Sequence, residues 1–282
     1  MRKRISFISV LTMFLAIGFV IIFSRPVKAA ANGVILKANR TYAAYDVTGD
    51  GMKDKIRIRA ANQTDDEAYT SLTVSVNGKT ACRLKNTRFY NVIANIYTLK
   101  NGQPFLYLYA PADNGDGPVC ALLKYTNGKF RKALDFTEIM AGYGNHRIGE
   151  VTNLNGNKIV ITESIVSYSL GINAINFTYK YVNGKFVPTS RYGSYKEIYS
   201  TDGSSRYFTV NSDLPAYARP GATAVNTTLK AGSLTKIIKC ALISGKMYIQ
   251  LECDGEIYWI KALENPPIAD NERQFMEVRY AG

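Results

Sequence analysis

Three Asn-Gly-Lys tripeptides, Asn77-Gly78-Lys79, Asn127-Gly128-Lys129 and Asn183-Gly184-Lys185, constrain the fold of this 282-residue chain more than any other feature. Asn-Gly supplies the positive φ angles that a two-residue hairpin turn requires. Each tripeptide closes a run of alternating apolar residues: Leu72-Thr73-Val74-Ser75-Val76, Cys120-Ala121-Leu122-Leu123-Lys124-Tyr125 and Ile175-Asn176-Phe177-Thr178-Tyr179-Lys180-Tyr181. Upstream of each lies another strand introduced by a glycine turn, with Gly51 before Ile56, Gly102 before Phe105 and Gly156 before Ile159. The turns stand 50 and then 56 residues apart, the spacing of small antiparallel sheets arranged as blades. Three units fall short of the roughly four to eight blades of a closed propeller. Residues 32–192 therefore predict a repeat-built antiparallel β domain, either propeller-like or a compact sandwich.

No long stretch shows the helical spacing of apolar residues, and short alternating runs rich in Ile, Val, Tyr, Phe and Thr dominate, so the chain reads as all-β. A short helical turn over Asp135 to Met140 is the one exception. The polar stretch 193–206, with Ser, Asp and Gly, predicts a linker. Residues 207–263 resume the strand-and-turn pattern. The closing stretch 264–282 opens on Pro266-Pro267 and predicts an extended strap or a final strand.

Arg2, Lys3 and Arg4, an uncharged apolar run from Ile5 to Phe23, and Val27-Lys28-Ala29 form an export leader over residues 1–29. An uncleaved anchor is the alternative reading of so long an apolar run; if the leader is cleaved, no stable membrane anchor is visible. The expected localisation is extracellular or wall-associated, in a bacterium with an exposed wall. Five of the 35 Lys and Arg residues (Arg2, Lys3, Arg4, Arg25, Lys28) lie in the leader, leaving 30 against 22 acids, a net of +8. A moderately basic surface outside a cell suits anionic partners such as wall polymers. The cations are scattered, and runs such as Tyr179-Lys180-Tyr181 fit strand faces better than base-stacking platforms, so no nucleic-acid partner is expected.

Export permits disulfides, but Cys82, Cys120, Cys240 and Cys253 show no obvious pairing. A hairpin tip at Ser244-Gly245 would set Cys240 opposite Ile249 and Cys253 opposite Lys236. All four are expected as buried thiols, with pairing open.

Asp46-Val47-Thr48-Gly49-Asp50-Gly51-Met52-Lys53-Asp54 is the sharpest motif. Oxygen donors recur at alternate positions, Gly51 allows a sharp turn, the Met52 carbonyl can point inward and Asp54 closes the loop. Such spacing suits Ca2+, a hard cation that takes about six to eight oxygens. Arg57 stands at the twelfth position, where an EF-hand places glutamate, and a strand pattern follows, which argues against that fold. The loop resembles the calcium loops of FG-GAP and related extracellular propeller repeats. That resemblance implies one Ca2+ held by Asp46, Thr48, Asp50, the Met52 carbonyl and Asp54. An Asp/Gly-rich turn that needs no ion is the alternative. Asp113-Asn114-Gly115-Asp116-Gly117 lacks a closing acid.

Leu229-Lys230-Ala231-Gly232, Lys246-Met247-Tyr248-Ile249-Gln250-Leu251 and Asp254-Gly255-Glu256-Ile257-Tyr258-Trp259-Ile260 resemble a bacterial SH3-like domain. Leu214-Pro215-Ala216-Tyr217-Ala218-Arg219-Pro220-Gly221 replaces the family's Asn-Val-Arg opening, and Tyr258 replaces its usual glycine before Trp. The resemblance implies a small β-barrel over 207–263 that binds a cell-wall polymer or peptide in an aromatic-lined groove, with Tyr217, Tyr248 and Trp259 in that groove. Ordinary barrel core is the competing role for Trp259.

Catalysis finds little support. His146 is the only histidine, no His-Glu-x-x-His or Cys-x-x-Cys occurs, and no signature surrounds a Cys–His pair built on Cys82 or Cys120. No catalytic residue is therefore assigned. The expected function is a secreted, non-catalytic binding protein. A secreted hydrolase acting on wall or glycan substrates is the alternative, because a glycosidase needs only two carboxylates that sequence does not locate. A purely structural exoprotein is the third class.

Overall fold

Turn chemistry sets the connectivity. In the computed structural model, which describes residues 33–113, 115–201, 203–204 and 206–280, the edge strand β1 (Val34–Leu36) precedes three four-stranded antiparallel meanders. The first is β2 (Thr41–Tyr45), β3 (Asp54–Gln63), β4 (Tyr69–Val76) and β5 (Lys79–Phe89). The second is β6 (Ile93–Thr98), β7 (Pro104–Ala110), β8 (Val119–Thr126) and β9 (Lys129–Asp135), with β1 paired along β6. The third is β10 (Gly144–Asn155), β11 (Lys158–Ser167), β12 (Gly171–Val182) and β13 (Lys185–Pro188). In every meander the Asn-Gly-Lys turn joins the third and fourth strands, and the upstream glycine turn joins the first and second. Asn77, Asn127 and Asn183 sit at φ of 50°, 51° and 49°, each followed by a glycine at positive φ, the pair of left-handed residues that such hairpins demand. The export leader lies outside the described residues.

The chain is all-β. Among the described residues there is no α-helix, and only two 3₁₀ turns occur, Phe136–Glu138 and Asp270–Glu272. The first of these falls in the stretch expected to turn helically. Strand order leaves every sheet open.

The second meander is the middle layer. Leu106, Leu108, Ala121 and Leu123 pack with Ile56, Ile58, Leu72 and Val74 of the first meander. Phe105, Tyr107, Tyr109 and Leu122 join Ile159, Ile161, Ile175 and Phe177 of the third in the main core. Neither face of the middle sheet meets water over these positions, and that burial is the chief driving force of the packing.

The third meander continues without a break toward the C-terminus. β14 (Tyr192–Ser200) bonds β12 on one side and β19 on the other, so strand stands where polar composition predicted a linker. Gly193, Tyr195 and Ile198 turn inward while Ser194 and Lys196 face out, and a bulge opposite Ala174 and Ile175 widens the inward spacing from two residues to three. The remaining elements are β15 (Gly203–Ser204), β16 (Tyr207–Thr209), β17 (Leu214–Ala216), β18 (Thr227–Leu229), β19 (Leu234–Ile243), β20 (Lys246–Cys253) and β21 (Glu256–Lys261). One sheet runs β10-β11-β12-β14-β19-β20-β21, with β13, β15 and β16 on its margins, and β17-β18 form a separate ribbon.

Residues 264–280 form the strap. Phe275 and Val278 are buried, and Met276 N–H donates to the Thr209 carbonyl at 3.0 Å while Ile172 N–H donates to that of Arg279 at 2.9 Å. Gly171 makes this crossing possible: its φ is +63°, and a Cβ there would lie 2.2 Å from the Arg279 carbonyl oxygen.

The four cysteines are free, three buried and Cys82 half-buried. Cys240 faces Ile249 as expected, but Cys253 faces Thr235 rather than Lys236, because a bulge between Ile237 and Lys239 shifts the register by one.

Candidate functional site

Tyr217, Tyr248 and Trp259, expected to line a groove, meet in a small apolar cluster with Ala241, apart from the two larger cores. Pairing explains the meeting. Tyr192, Ala241, Tyr248 and Lys261 stand opposite one another across β14, β19, β20 and β21, and Ser194, Lys239, Gln250 and Trp259 form the next row. Side chains of paired antiparallel residues share a face, so both rows point away from Cys240, Ile249 and Ile260, which enter the main core. Tyr217 is drawn over Trp259 by two backbone bonds, its N–H to the Trp259 carbonyl at 2.7 Å and the Trp259 N–H to its own carbonyl at 2.9 Å.

The three expected residues form the floor of this site, each 6% exposed or less. Its accessible parts are residues that sequence reasoning missed. Tyr192, 36% exposed, lies over Trp259 with ring centroids 5.9 Å apart. Lys239 Nζ stands 4.7 Å from the Tyr192 ring centre and 5.9 Å from that of Trp259, Arg191 lies 5.2 Å from Tyr192, and Lys261 Nζ lies 5.0 Å from Tyr217. These are cation–π distances. Arg191 also borders a cavity of about 240 Å3 lined by Phe177, Tyr179 and Pro188. The arrangement offers stacking surface and positive charge together, which suits an anionic ligand with a flat or ring-shaped part.

Loop 46–54 is held by its own acids. Asp54 is buried; its Oδ2 accepts from the backbone N–H of Val47 at 2.7 Å and Thr48 at 2.9 Å, and its Oδ1 accepts from Asn77 Nδ2 at 2.6 Å. Asp46 Oδ1 accepts from Gly49 N–H at 2.6 Å and its Oδ2 from Gly51 N–H at 2.8 Å. The little burial there raises the Asp46 pKa, but the Gly51 and Gly49 bonds outweigh it and the net shift is downward. Asp50 Oδ1 accepts from Met52 N–H at 2.8 Å, and the Met52 side chain is exposed. Among the described residues no three such acids converge as a ready cluster. Donor type and spacing suit Ca2+, with Asp46 Oδ2 and Asp50 Oδ2 keeping free lone pairs; Asp54 would exchange N–H partners for the ion.

His146 is neither exposed nor paired with a cysteine. Its Nδ1 is bonded to Glu163 Oε1, while His146 Nε2 and Glu163 Oε2 are buried with no hydrogen-bond partner. Glu163 occupies the core face of β11, in the row Ile159, Ile161, Glu163, Ile165. Burial pushes its carboxyl up to about 7 against the opposing His146 bond. The Cys120 thiol sits 3.4 Å from Gly149 N–H and 3.8 Å from the Tyr107 hydroxyl, and burial pushes it up to about 12. It is therefore protonated at neutral pH and a poor nucleophile. His146 also lines an open depression of about 690 Å3 together with Asp116, Arg147 and Tyr280. An acid set in the apolar register of a buried strand is the sequence signal for this pair.

Compared with known protein families, with characterised proteins and with solved structures, the chain finds no match. Among the described residues no helix is long and apolar enough to cross a membrane.

Proposed function

We propose that this chain is a secreted, non-catalytic binding protein that associates with cell-wall polymer or peptide ligands through its SH3-like C-terminal part. The supporting observation is the convergence of Tyr217, Tyr248 and Trp259 into a floor beneath Tyr192, with Arg191, Lys239 and Lys261 against the rings. Exposed aromatic and arginine side chains are the usual anchors of binding surfaces. Loop 46–54, in this reading, carries one stabilising Ca2+ on Asp46, Thr48, Asp50, Met52 and Asp54, far in sequence from the binding face.

Retention of the full chain on purified wall material tests the proposal. Tyr192→Ala/Lys239→Ala should cut retention about tenfold, since a stacking contact and a partly desolvated cation together are worth roughly 1–3 kcal/mol. Unchanged retention would sink it. The hydrolase reading has one observation in its favour, His146 in the wall of the large depression with the buried Glu163 bonded to it. It requires turnover of wall glycan that Glu163→Gln abolishes.

A further inference from the structure

The outer face of the first meander is a flat array of unpaired cations. β3 alternates strictly, with Ile56, Ile58 and Ala60 inward and Lys55, Arg57 and Arg59 outward. Register carries the same face across the sheet. Thr41, Arg57, Ser75 and Thr80 form one row, Arg59, Thr73 and Arg83 the next, and Ala61, Ser71 and Lys85 the third. Five cations thus stand among five hydroxyl side chains. None of the five cations makes an ion pair among the described residues.

The segregation of charge is what distinguishes this face from an ordinary soluble surface, on which signs are mixed. Every acid of residues 33–92 lies in one of two loops at opposite ends of the sheet: Asp46, Asp50 and Asp54 around the β2–β3 turn, and Asp65, Asp66 and Glu67 in the β3–β4 turn. Asp54 points inward and is buried, and Asp66 is bonded to Arg88 at the margin. No carboxylate answers the five cations, and charge of one sign gathered on one face repels itself. Such an arrangement fits a surface whose partner supplies the anions.

We infer that this face binds a linear polyanion built of phosphodiester-linked polyol units, laid along β3 and β5. Alternate residues of a strand recur about every 6.7 Å, and β3 and β5 are two strand spacings apart, about 9.6 Å. Lys55, Arg57 and Arg59 therefore form a line of charges at a regular interval, with Arg83 and Lys85 as a second, parallel line. A chain of short polyols joined by phosphates repeats its charge at a comparable interval when extended. Arginine forks hold phosphate oxygens in bidentate fashion, and Ser71, Thr73, Ser75 and Thr80 stand between them to bond phosphate or polyol hydroxyl. A single-stranded nucleic acid carries phosphates too, but its binding rests on aromatic platforms for the bases, and the rows that hold these cations contain no aromatic residue. This surface belongs to the first meander and is independent of the Tyr192–Trp259 face.

Binding of the full chain to poly(glycerol phosphate) and to a single-stranded oligonucleotide of equal charge, each at low and raised salt, tests the inference. The wild-type chain should bind poly(glycerol phosphate) more tightly than the oligonucleotide, with affinity that falls steeply as salt releases the counterion advantage. Arg57→Glu/Arg59→Glu should weaken it by about tenfold or more, whereas Lys129→Glu/Lys158→Glu, the same charge change at exposed turns of the other meanders, should stay within about threefold. If charge reversal impairs folding, Arg57→Gln/Arg59→Gln must weaken binding in the same sense. Tyr192→Ala/Lys239→Ala should leave it unchanged, which separates this site from the proposed wall-binding face. No binding by the wild-type chain, equal losses in the two reversed pairs, or an oligonucleotide bound as tightly as the polyol phosphate would each overturn it.

Discussion

The first and second meanders share strand count, turn positions and the Asn-Gly-Lys hairpin, yet they are covered differently. In β3 buried and exposed residues alternate, whereas in β7 every residue after Pro104 is buried. The second meander presents an aliphatic face to the first and an aromatic face to the third, so its central strands are buried on both faces, over Phe105–Ala110 of β7 and Val119–Leu123 of β8, and a sheet wetted on one side needs only every other residue. The turns thus decide how strands connect, and the strand composition decides which layer they enter.

The largest expected effect follows from that difference. Phe105 is 1% exposed and packs against Tyr181 and Phe186 with centroids 4.8 and 4.9 Å away. Phe105→Ala should cost about 3–5 kcal/mol of unfolding free energy in urea titration, through lost burial and the cavity left behind. Arg59→Ala, on the wet face of the first meander, should stay within about 0.5 kcal/mol. Similar losses at the two positions would refute the layer assignment.

The third meander breaks the pattern at one residue. Glu163 replaces an apolar side chain on the face turned to the aromatic side of the middle sheet, and burial raises its carboxyl from 4.5 to about 7. A group whose pKa is higher in the folded state than in the unfolded chain favours folding while protonated. Its contribution is complete below about pH 4.5 and is lost as pH climbs through about 7. Wild-type stability should therefore fall on the order of 3 kcal/mol across that window from this group. Glu163→Gln should flatten the decline, as followed by urea midpoints at several pH values. An unchanged slope would show that the carboxyl does not titrate there.

Much of this was legible in the sequence, because the signals were local. The three Asn-Gly-Lys turns and their upstream glycines marked six strands, two in each meander, and the hairpin that follows each pair, whereas Tyr217, Tyr248 and Trp259 stood out only through the SH3-like resemblance. What escaped notice was relational. β14 hides in a polar stretch, since its apolar residues Tyr192, Tyr195, Ile198 and Tyr199 keep no strict alternation and its partner β19 is distant in sequence. Tyr192 belongs to the aromatic face solely through that pairing, and the bulge between Ile237 and Lys239 that moved Cys253 leaves no local mark. The cation array of the first meander is likewise invisible until β3, β4 and β5 are in register.

The smallest effect sharpens the comparison at the turns that open the meanders. The β2–β3 turn is closed by Asp54, whose buried carboxylate serves Val47, Thr48 and Asn77, and Asn77 belongs to the hairpin at the far end of β4. One side chain thereby ties two of the three turns of the first meander together, those between β2 and β3 and between β4 and β5. The corresponding β6–β7 turn has only the exposed Asn101, whose Oδ1 accepts from Gln103 N–H at 3.2 Å. Asp54→Ala strands three donors, two on the backbone, and should cost about 2 kcal/mol, while Asn101→Ala should cost well under 1 kcal/mol. Thermal melting with calcium or chelator divides the first figure further. A ligand that binds only the folded chain must raise its melting temperature, so a calcium-dependent rise lost in Asp50→Ala assigns the loop to the ion. Equal melting of the wild-type chain under both conditions leaves Asp54 as a cap alone, and its cost should then be independent of calcium.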